Sequence, residues 1–155
     1  MCAGKPRISF LSEARLSRVI CDDRERIGDF VAGRVGMEGW SNFRAIGLEK
    51  DGELIAGVVY DNYTKATIFM HIAAKPGRKW LTRNFLWYMF HYPFVELGVK
   101  RVTGIIPVSN KDSINFANGL KGARLEALLK DAHPDGDMAI YCMFKQDCKY
   151  LGIFK

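Results

Sequence analysis

Residues 71–85, HIAAKPGRKWLTRNF, decide how the chain folds. They run from an apolar strand through a Pro-Gly break into a segment that we predict to be a helix from residue 78 to about residue 91. Four cations crowd the start of that predicted helix: Lys75, Arg78, Lys79 and Arg83. The N-terminus of a helix carries a partial positive charge, so cations there are disfavoured unless an anion joins them. The stretch therefore predicts an anion-binding corner between a strand and a helix, with a solvated basic loop as the alternative.

Upstream of this corner, the sequence predicts three antiparallel strands. Residues 43–63 read as two strands around Asp51 and Gly52, a dipeptide that tolerates the positive φ angles of a tight hairpin turn. Residues 66–74 read as the third strand, which leads directly into the corner.

A helix is predicted before these strands. Asp22 and Asp23 stand where an N-cap and first-turn acids belong, and apolar residues follow at helical spacing until Gly36. Residues 8–20 begin with a short strand-like piece and are the least regular part of the pattern.

Downstream of the corner, Pro93 kinks or ends the long helix and Gly98 closes the segment. The remaining predicted elements are a strand at 100–106, a helix at 109–120 capped by Ser109 or Asn110, and strands at 123–129 and 138–145 across a loop at 130–137.

This order of elements predicts one α/β (α+β) domain over residues 1–155. Its sheet is expected to be mixed and mostly antiparallel, with helices on its faces, because the strand-helix-strand step after the third strand implies a right-handed crossover. Ligands of such sheets bind beyond the carboxyl ends of the strands, where neighbouring strands part. That point falls at residues 71–80.

Composition narrows the classes of partner. The chain of 155 residues has a formal net charge of +6, which favours an anionic partner such as a phosphate-bearing cofactor. No run of five or more cations marks a nucleic-acid-binding arm, so nucleic acid is disfavoured. Neither a secretory signal core nor an apolar run of about 20 residues is visible, so we expect a cytoplasmic protein without a membrane span. The spacing of cysteines and histidines does not fit zinc, and no metal is expected.

Three segments, in this order, resemble the Gcn5-related N-acetyltransferase (GNAT) superfamily over about residues 20–150. They are AIGLEKDGELIAGVVY (45–60), HIAAKPGRKWLTRNFLWYMFHYPFVELG (71–98) and RVTGIIPVSNKDSINFANGLKGARLEALL (101–129). The segments WLTR, YPF and DCKYLGI are similar to a subset of the superfamily often found in phage genomes. The resemblance implies a GNAT-like sheet whose strands splay at a cofactor cleft.

The resemblance also implies transfer of an acetyl group from acetyl-CoA to a small-molecule or peptide amine. In the superfamily an RxxGxG or RxxGxA loop holds the pyrophosphate; Arg78 matches its arginine, but Leu81 and Arg83 stand at the glycine positions. The cofactor-binding residues implied are Ile72, Ala73, Lys75, Arg78, Lys79, Trp80, Leu81, Thr82, Arg83, Asn110 and Asn115.

His71 and Asn110 are the catalytic residues that we predict. Asn110 matches the family's asparagine, but Ala117 stands where the family has a tyrosine that protonates the departing thiolate. His71 is expected to be the base for the amine, since histidine changes charge near neutral pH, and N–H groups near Ile72 and Ala73 are expected to hold the carbonyl oxygen. A hydrogen-bonded histidine paired across the sheet is the alternative for His71.

Other groups have more than one interpretation. Acidic side chains that would draw in a cationic amine are Glu38, Asp61 and Asp135. Aromatic side chains that read as core or as an oligomer patch, rather than as a substrate cage, are Trp80, Phe85, Trp87, Phe90, Tyr92 and Phe94. Because these aromatic side chains could form an oligomer patch, a homodimer is one of the possible assemblies. Three functions remain: an acetyltransferase, a GNAT-fold protein that binds CoA or a partner with reduced catalysis, and a nucleic-acid binder.

Overall fold

The computed structural model describes residues 17–77 and 79–152. Its strands are β1 (Arg18–Ile20), β2 (Arg44–Lys50), β3 (Glu53–Asp61), β4 (Thr67–Ala74), β5 (Arg101–Pro107), β6 (Ala123–His133) and β7 (Gly136–Phe144). Its α-helices are α1 (Arg24–Val35), α2 (Arg83–His91) and α3 (Lys111–Gly119). A π-helix (Tyr92–Glu96) follows α2, and a 3-10 helix (Lys145–Asp147) follows β7.

All seven strands belong to one sheet in the order β1-β2-β3-β4-β5-β7-β6. Neighbouring strands are antiparallel except β4 and β5, which run parallel. The predicted fold class, a mixed and mostly antiparallel sheet flanked by helices, is confirmed. The hairpin between β2 and β3 turns at Asp51 (φ 53°) and Gly52 (φ 79°), as the dipeptide predicts.

Helix α2 begins five positions later than the sequence analysis predicts, so that boundary was wrong. Thr82 is extended and caps the helix, because its side chain accepts a hydrogen bond of 3.1 Å from the Phe85 N–H. Gly77 has a φ of 101°, which keeps the chain in a turn before the cap. The α-helix ends at His91, and Pro93 lies within the π-helix.

Two further boundaries differ from the prediction. The loop predicted at 130–137 is mostly strand, because β6 runs to His133 and β7 starts at Gly136. Strand β1 takes the last residues of the 8–20 stretch, whose strand-like beginning lies outside the described residues. Asn110, rather than Ser109, is the N-cap of α3.

The helices cover the two faces of the sheet unequally. Helix α1 packs on β2, β3 and β4, where the cross-strand pair Gly47 and Gly57 lets it approach closely. A Cβ at Gly57 would lie 2.9 Å from Val31 and 3.0 Å from Ile27, both on α1. Helix α2 covers the opposite face with Phe85, and α3 lies on that same face over β5 and β7.

The predicted aromatic core is largely present. Buried members are Trp80, Phe85, Phe90, Tyr92 and Phe94, whereas Trp87 is half-buried. Tyr60 joins them from β3 and donates a hydrogen bond of 2.6 Å to the Met89 carbonyl of α2. Burial raises the pKa of Tyr60 well above its usual value, so its hydroxyl remains a donor and ties β3 to α2.

Candidate active site

Strands β4 and β5 separate soon after they meet. Their described residues pair at Thr67–Arg101, Ile68–Val102 and Phe69–Thr103. Beyond these pairs β4 continues to Ala74 and β5 to Pro107 without a partner between them. The splayed strands that the sequence analysis expects are therefore present, and we call the opening the strand gap.

The backbone of β4 presents hydrogen-bonding groups to the strand gap. Lys75 donates its N–H to the Ile55 carbonyl at 2.8 Å, so alternate residues before it, including Ala73, direct their backbone groups towards β3. The residues between them, Ile72 and Ala74, direct their N–H and C=O groups into the strand gap. Of the two amides expected to hold a carbonyl oxygen, the one that faces the strand gap is that of Ile72.

A cavity of about 460 Å³ occupies the strand gap, and we call it the strand-gap cavity. Lining residues from the α1 face of the sheet include Asp61, Phe69, His71, Thr103, Ile105 and Met138. Those from the α3 face include Ile72, Val102, Phe116, Ala117 and Tyr141. Because both faces contribute, the cavity passes between the strands and joins the two sides of the sheet.

His71 and Asp61 form a hydrogen-bonded pair at this cavity. The His71 Nε2 atom lies 2.8 Å from the Asp61 Oδ1 atom, and each side chain is 14% exposed. A carboxylate only accepts hydrogen bonds, so Nε2 carries the proton of the neutral ring and Nδ1 presents the lone pair. The bond joins the neighbouring strands β3 and β4, which agrees with the alternative interpretation of His71 as a histidine hydrogen-bonded across the sheet. It also leaves the second ring nitrogen, Nδ1, able to take a proton.

Trp40 holds the opposite side of the His71 ring. The two ring centroids are 4.7 Å apart with planes at 47°. Trp40 is itself fixed because its Nε1 donates a hydrogen bond of 2.8 Å to the Gly28 carbonyl of α1. A Cβ at Gly28 would lie 2.9 Å from Phe43 and 3.3 Å from Trp40, so glycine at this position allows the indole to reach its place.

A second cavity, the corner cleft, has a volume of about 910 Å³ and lies where β4 meets the loop before α2. It shares part of its wall with the strand-gap cavity: Val35, Ile72, Ser113, Phe116 and Leu120 line both. The two cavities therefore lie side by side.

The predicted cofactor residues divide into two sets. Those that line the corner cleft are Ile72, Ala73, Lys75, Trp80, Leu81, Asn110 and Asn115. Those outside its described wall are Lys79, Thr82 and Arg83; Lys79 and Arg83 are exposed. Arg78 lies outside the described residues. The ammonium group of Lys75 is 3.2 Å from Glu53, so this cation is directed towards the β2–β3 hairpin rather than towards the start of α2.

Trp80 forms the inner wall of the corner. Its side chain is 9% exposed, its Nε1 donates a hydrogen bond of 3.1 Å to the Gly77 carbonyl, and its ring lies 5.1 Å from that of Phe116 on α3. This packing joins the loop before α2 to α3. The Trp80 indole thus stabilises the loop before α2 and forms part of the wall of the corner cleft.

Asn110 and Ala117 lie at different places on helix α3: Asn110 caps its N-terminus, and Ala117 is buried on the side that faces the sheet. The Asn110 Oδ1 atom accepts a hydrogen bond of 3.2 Å from the Ser113 N–H, so the predicted catalytic asparagine caps the helix at the edge of the corner cleft. Ala117 is buried against Tyr141 of β7, whose hydroxyl donates a hydrogen bond of 2.8 Å to Asn118. A phenol therefore reaches the α3 side of the strand-gap cavity from β7.

Two residues of the site were not predicted from the sequence: Trp40, which contacts the His71 ring, and Tyr141, which lines the strand-gap cavity. Trp40 lies in an irregular loop, and no local pattern shows that its indole returns to His71. Tyr141 stands in a strand that reads as plain core. The pairing of Asp61 with His71 follows from the strand register, since Phe69 is the β4 partner of Asp61 and His71 lies two residues further on the same face.

Other chemistry is less favoured at this site. Burial raises the pKa of the Cys142 thiol, which is 2% exposed, so Cys142 stays protonated rather than acting as a nucleophile. The described residues hold no group of three or more side chains suited to a metal ion. None of the helices in the described part of the chain has the length and apolar character needed to cross a membrane.

Comparison with known proteins supports the fold. No protein-family model and no curated protein sequence matches this chain. Among solved structures, a single-residue mutant of spermidine N-acetyltransferase SpeG from Vibrio cholerae is similar, with a TM-score of 0.68, 16% identity, and coverage of 90% of this chain and 98% of that chain. SpeG from Vibrio cholerae in complex with manganese ions is also similar, with a TM-score of 0.67 and 16% identity. That match covers 90% of this chain and 97% of that chain.

A structure described as a probable acetyltransferase gives a TM-score of 0.58 at 20% identity, covering 69% of this chain and 64% of that chain. These neighbours have the fold of the GNAT acetyltransferases, and the chain shares it. At such low identity the similarity establishes the architecture alone.

Proposed function

We propose that this protein is an acetyl-CoA-dependent N-acetyltransferase that moves an acetyl group to a primary amine. The observation that carries the proposal is the strand gap, where the free backbone edge of β4 faces a cavity that adjoins the corner cleft. An extended amide-bearing chain such as pantetheine can pair with such an edge as an added strand. The named activity of the SpeG neighbours supports the same chemistry.

The residues of the corner cleft would hold the nucleotide end of acetyl-CoA. Asn110, Asn115 and Trp80 line this cleft and offer polar groups and an aromatic wall. The N–H and C=O groups of Ile72 and Ala74 would pair with the pantetheine arm. When bound, acetyl-CoA supplies a thioester whose carbonyl carbon is open to attack by an amine.

His71 would act as the general base. It receives one proton from the attacking amine at Nδ1, while the Ile72 N–H stabilises the carbonyl oxygen. The C–N bond forms as the C–S bond breaks, and the thiol group leaves as thiolate. A thiolate is a far better leaving group than an alkoxide, so it can leave without a general acid. The absence of the tyrosine, whose position is taken by Ala117, lowers the rate but does not prevent the reaction.

A second candidate is a GNAT-fold protein that binds CoA or a protein partner with reduced catalysis. The start of α2 favours it, because Thr82 already caps the helix by accepting from the Phe85 N–H, one of the donors that would otherwise meet a phosphate. Leu81 and Arg83 also replace the two loop glycines of the superfamily. A phage origin, a cytoplasmic location and a homodimer remain proposals that accompany either candidate.

Thermal melting with acetyl-CoA, with CoA and with a DNA oligomer separates these functions. A ligand at 100 times its dissociation constant adds about 2.7 kcal/mol to the free energy of unfolding. We expect stabilisation by acetyl-CoA, followed by thiol release when an amine panel is added. Stabilisation without thiol release from any amine would favour the second candidate. A shift given by DNA alone that fades with salt would overturn both.

A further inference from the structure

The strand-gap cavity differs in charge from the rest of this basic chain. The chain holds 23 Lys and Arg residues, yet none of them is among the described residues that line this cavity. Within the same described wall, Asp61 is the single carboxylate. The corner cleft, by contrast, is lined by Arg34, Lys75 and Asp112. The described walls of the two cavities therefore differ in the charged side chains that they carry.

Asp61 can accept a further hydrogen bond. Its Oδ1 atom is engaged by His71 at 2.8 Å, whereas a carboxylate offers about four lone-pair positions in total. The Oδ2 atom is thus left for an ammonium group that enters the cavity. An ammonium group at this place is paired with one negative charge, as a half-buried cation requires.

The remainder of the α1 side of the cavity is apolar. Phe69 belongs to the last β4–β5 pair, Ile105 lies on the diverging part of β5, and Met138 lies on the same face of the neighbouring strand β7, opposite Pro107. An apolar body attached to the ammonium group gains by burial against these side chains. A second ammonium group would find no carboxylate among the described lining residues; Glu38 and Asp135 do not line this cavity.

We propose that the acceptor is a hydrophobic monoamine: a primary amine with a single positive charge on an aromatic or aliphatic body, held by Asp61 with its apolar part against Ile105 and Met138. This assignment rests on the proposed acetyl transfer and names its acceptor: the bound ammonium group loses one proton to solvent before its nitrogen attacks, and His71 takes the second proton as the C–N bond forms and the thiolate leaves. Polyamines, which carry several charges, are poor acceptors in this cavity because their second ammonium group would lose its hydration without a partner.

The test uses phenethylamine and hexylamine against spermidine, with acetyl-CoA and the full chain. We expect kcat/KM for the monoamines to exceed that for spermidine by roughly tenfold or more. In the variant Asp61→Asn, KM for phenethylamine should rise by roughly tenfold, because the charged acceptor is lost. The exposed Asp29→Asn variant on α1 is the matched control and should keep the wild-type KM.

Binding of phenethylamine, measured by calorimetry in the presence of CoA, keeps this inference separate from catalysis. Binding to the wild type that weakens in Asp61→Asn supports the acceptor class even without turnover. Absence of binding, or equal binding to both proteins, overturns it. A preference for spermidine overturns it while the acetyltransferase assignment stands. If acetyl-CoA neither binds nor reacts while phenethylamine still binds in a way that depends on Asp61, the proposed acetyltransferase function is overturned instead.

Discussion

The two halves of the sheet that flank the strand gap are packed differently. Strands β1 to β4 lie between α1 on one face and α2 on the other, and side chains such as Val58 and Val59 are fully buried on the two faces. Strands β5 to β7 are covered by α3 on one face. On their other face, Arg101 and Glu126 form a bidentate ion pair with both distances 2.7 Å, and β6 is largely exposed.

This difference bears on the proposed chemistry. Trp40, Asp61 and His71 all belong to the closely packed half, where neighbouring elements hold each side chain in place. The other half supplies the facing wall of the cavity through Ile105 and Met138. Groups that transfer protons need fixed positions, whereas an apolar wall tolerates adjustment.

The largest expected effect tests packing directly. Phe85→Ala removes a ring that is 0% exposed between α2 and the sheet, and we expect a loss of about 3–5 kcal/mol in the free energy of unfolding. Leu128→Ala, on β6 in the less covered half of the sheet, removes a side chain that is 57% exposed. We expect this variant to change the free energy of unfolding by less than about 0.5 kcal/mol. Denaturant titration measures both, and equal losses would contradict the contrast between the halves.

A glycine pair gives the next largest contrast. Gly57→Ala places a methyl group 2.9 Å from Val31 beneath α1, and overpacking should cost about 1–3 kcal/mol. Gly104→Ala on β5 is the matched variant, because its Cβ would have no heavy atom of the described chain within 4 Å. We expect no loss of stability in that variant. The comparison fails if both variants melt at the same temperature.

Catalysis should depend on the packed half. His71→Ala is expected to lower turnover by about tenfold or more if the ring accepts the amine proton. The thermal shift given by acetyl-CoA should remain, because His71 does not line the corner cleft. Steady-state kinetics with a monoamine acceptor measure the change, and unchanged turnover in a folded variant would exclude His71 from the mechanism.

The smallest effect concerns acid stability. The Arg26 guanidinium, 2.7 Å from Glu49, lowers the pKa of that carboxyl below its usual value, with Arg18 adding to the effect. A lowered folded-state pKa contributes stability above the unfolded pKa, and this is lost as pH falls through the folded pKa.

We expect Glu49→Gln to flatten the fall in stability with acid. Glu126→Gln should flatten it less, since the Glu126 side chain is 39% exposed and that of Glu49 is 10%. Urea midpoints between neutral and acidic pH measure both slopes. A steeper slope in either variant would show that its carboxyl does not act in this way.

The boundaries that were predicted well depend on local chemistry. Gly36 ends α1 with a φ of 77°, and Asp51-Gly52 turns the hairpin, because a positive φ is a property of the residue itself. The start of α2 was misplaced although Thr82 carried the signal of a cap. Helix-forming residues between 78 and 81 outweighed it in the pattern, while the structure uses Trp80 to pack the loop against α3.

The sequence by itself determined the order of strands and helices and the parallel step from β4 to β5, since each depends on neighbouring residues and on chirality. Only the tertiary structure decided that His71 meets Asp61, that Trp40 returns to cover the ring and that no lysine or arginine of the described residues lines the strand-gap cavity. These features depend on strand register and on contacts between residues far apart in the chain, which no local pattern encodes.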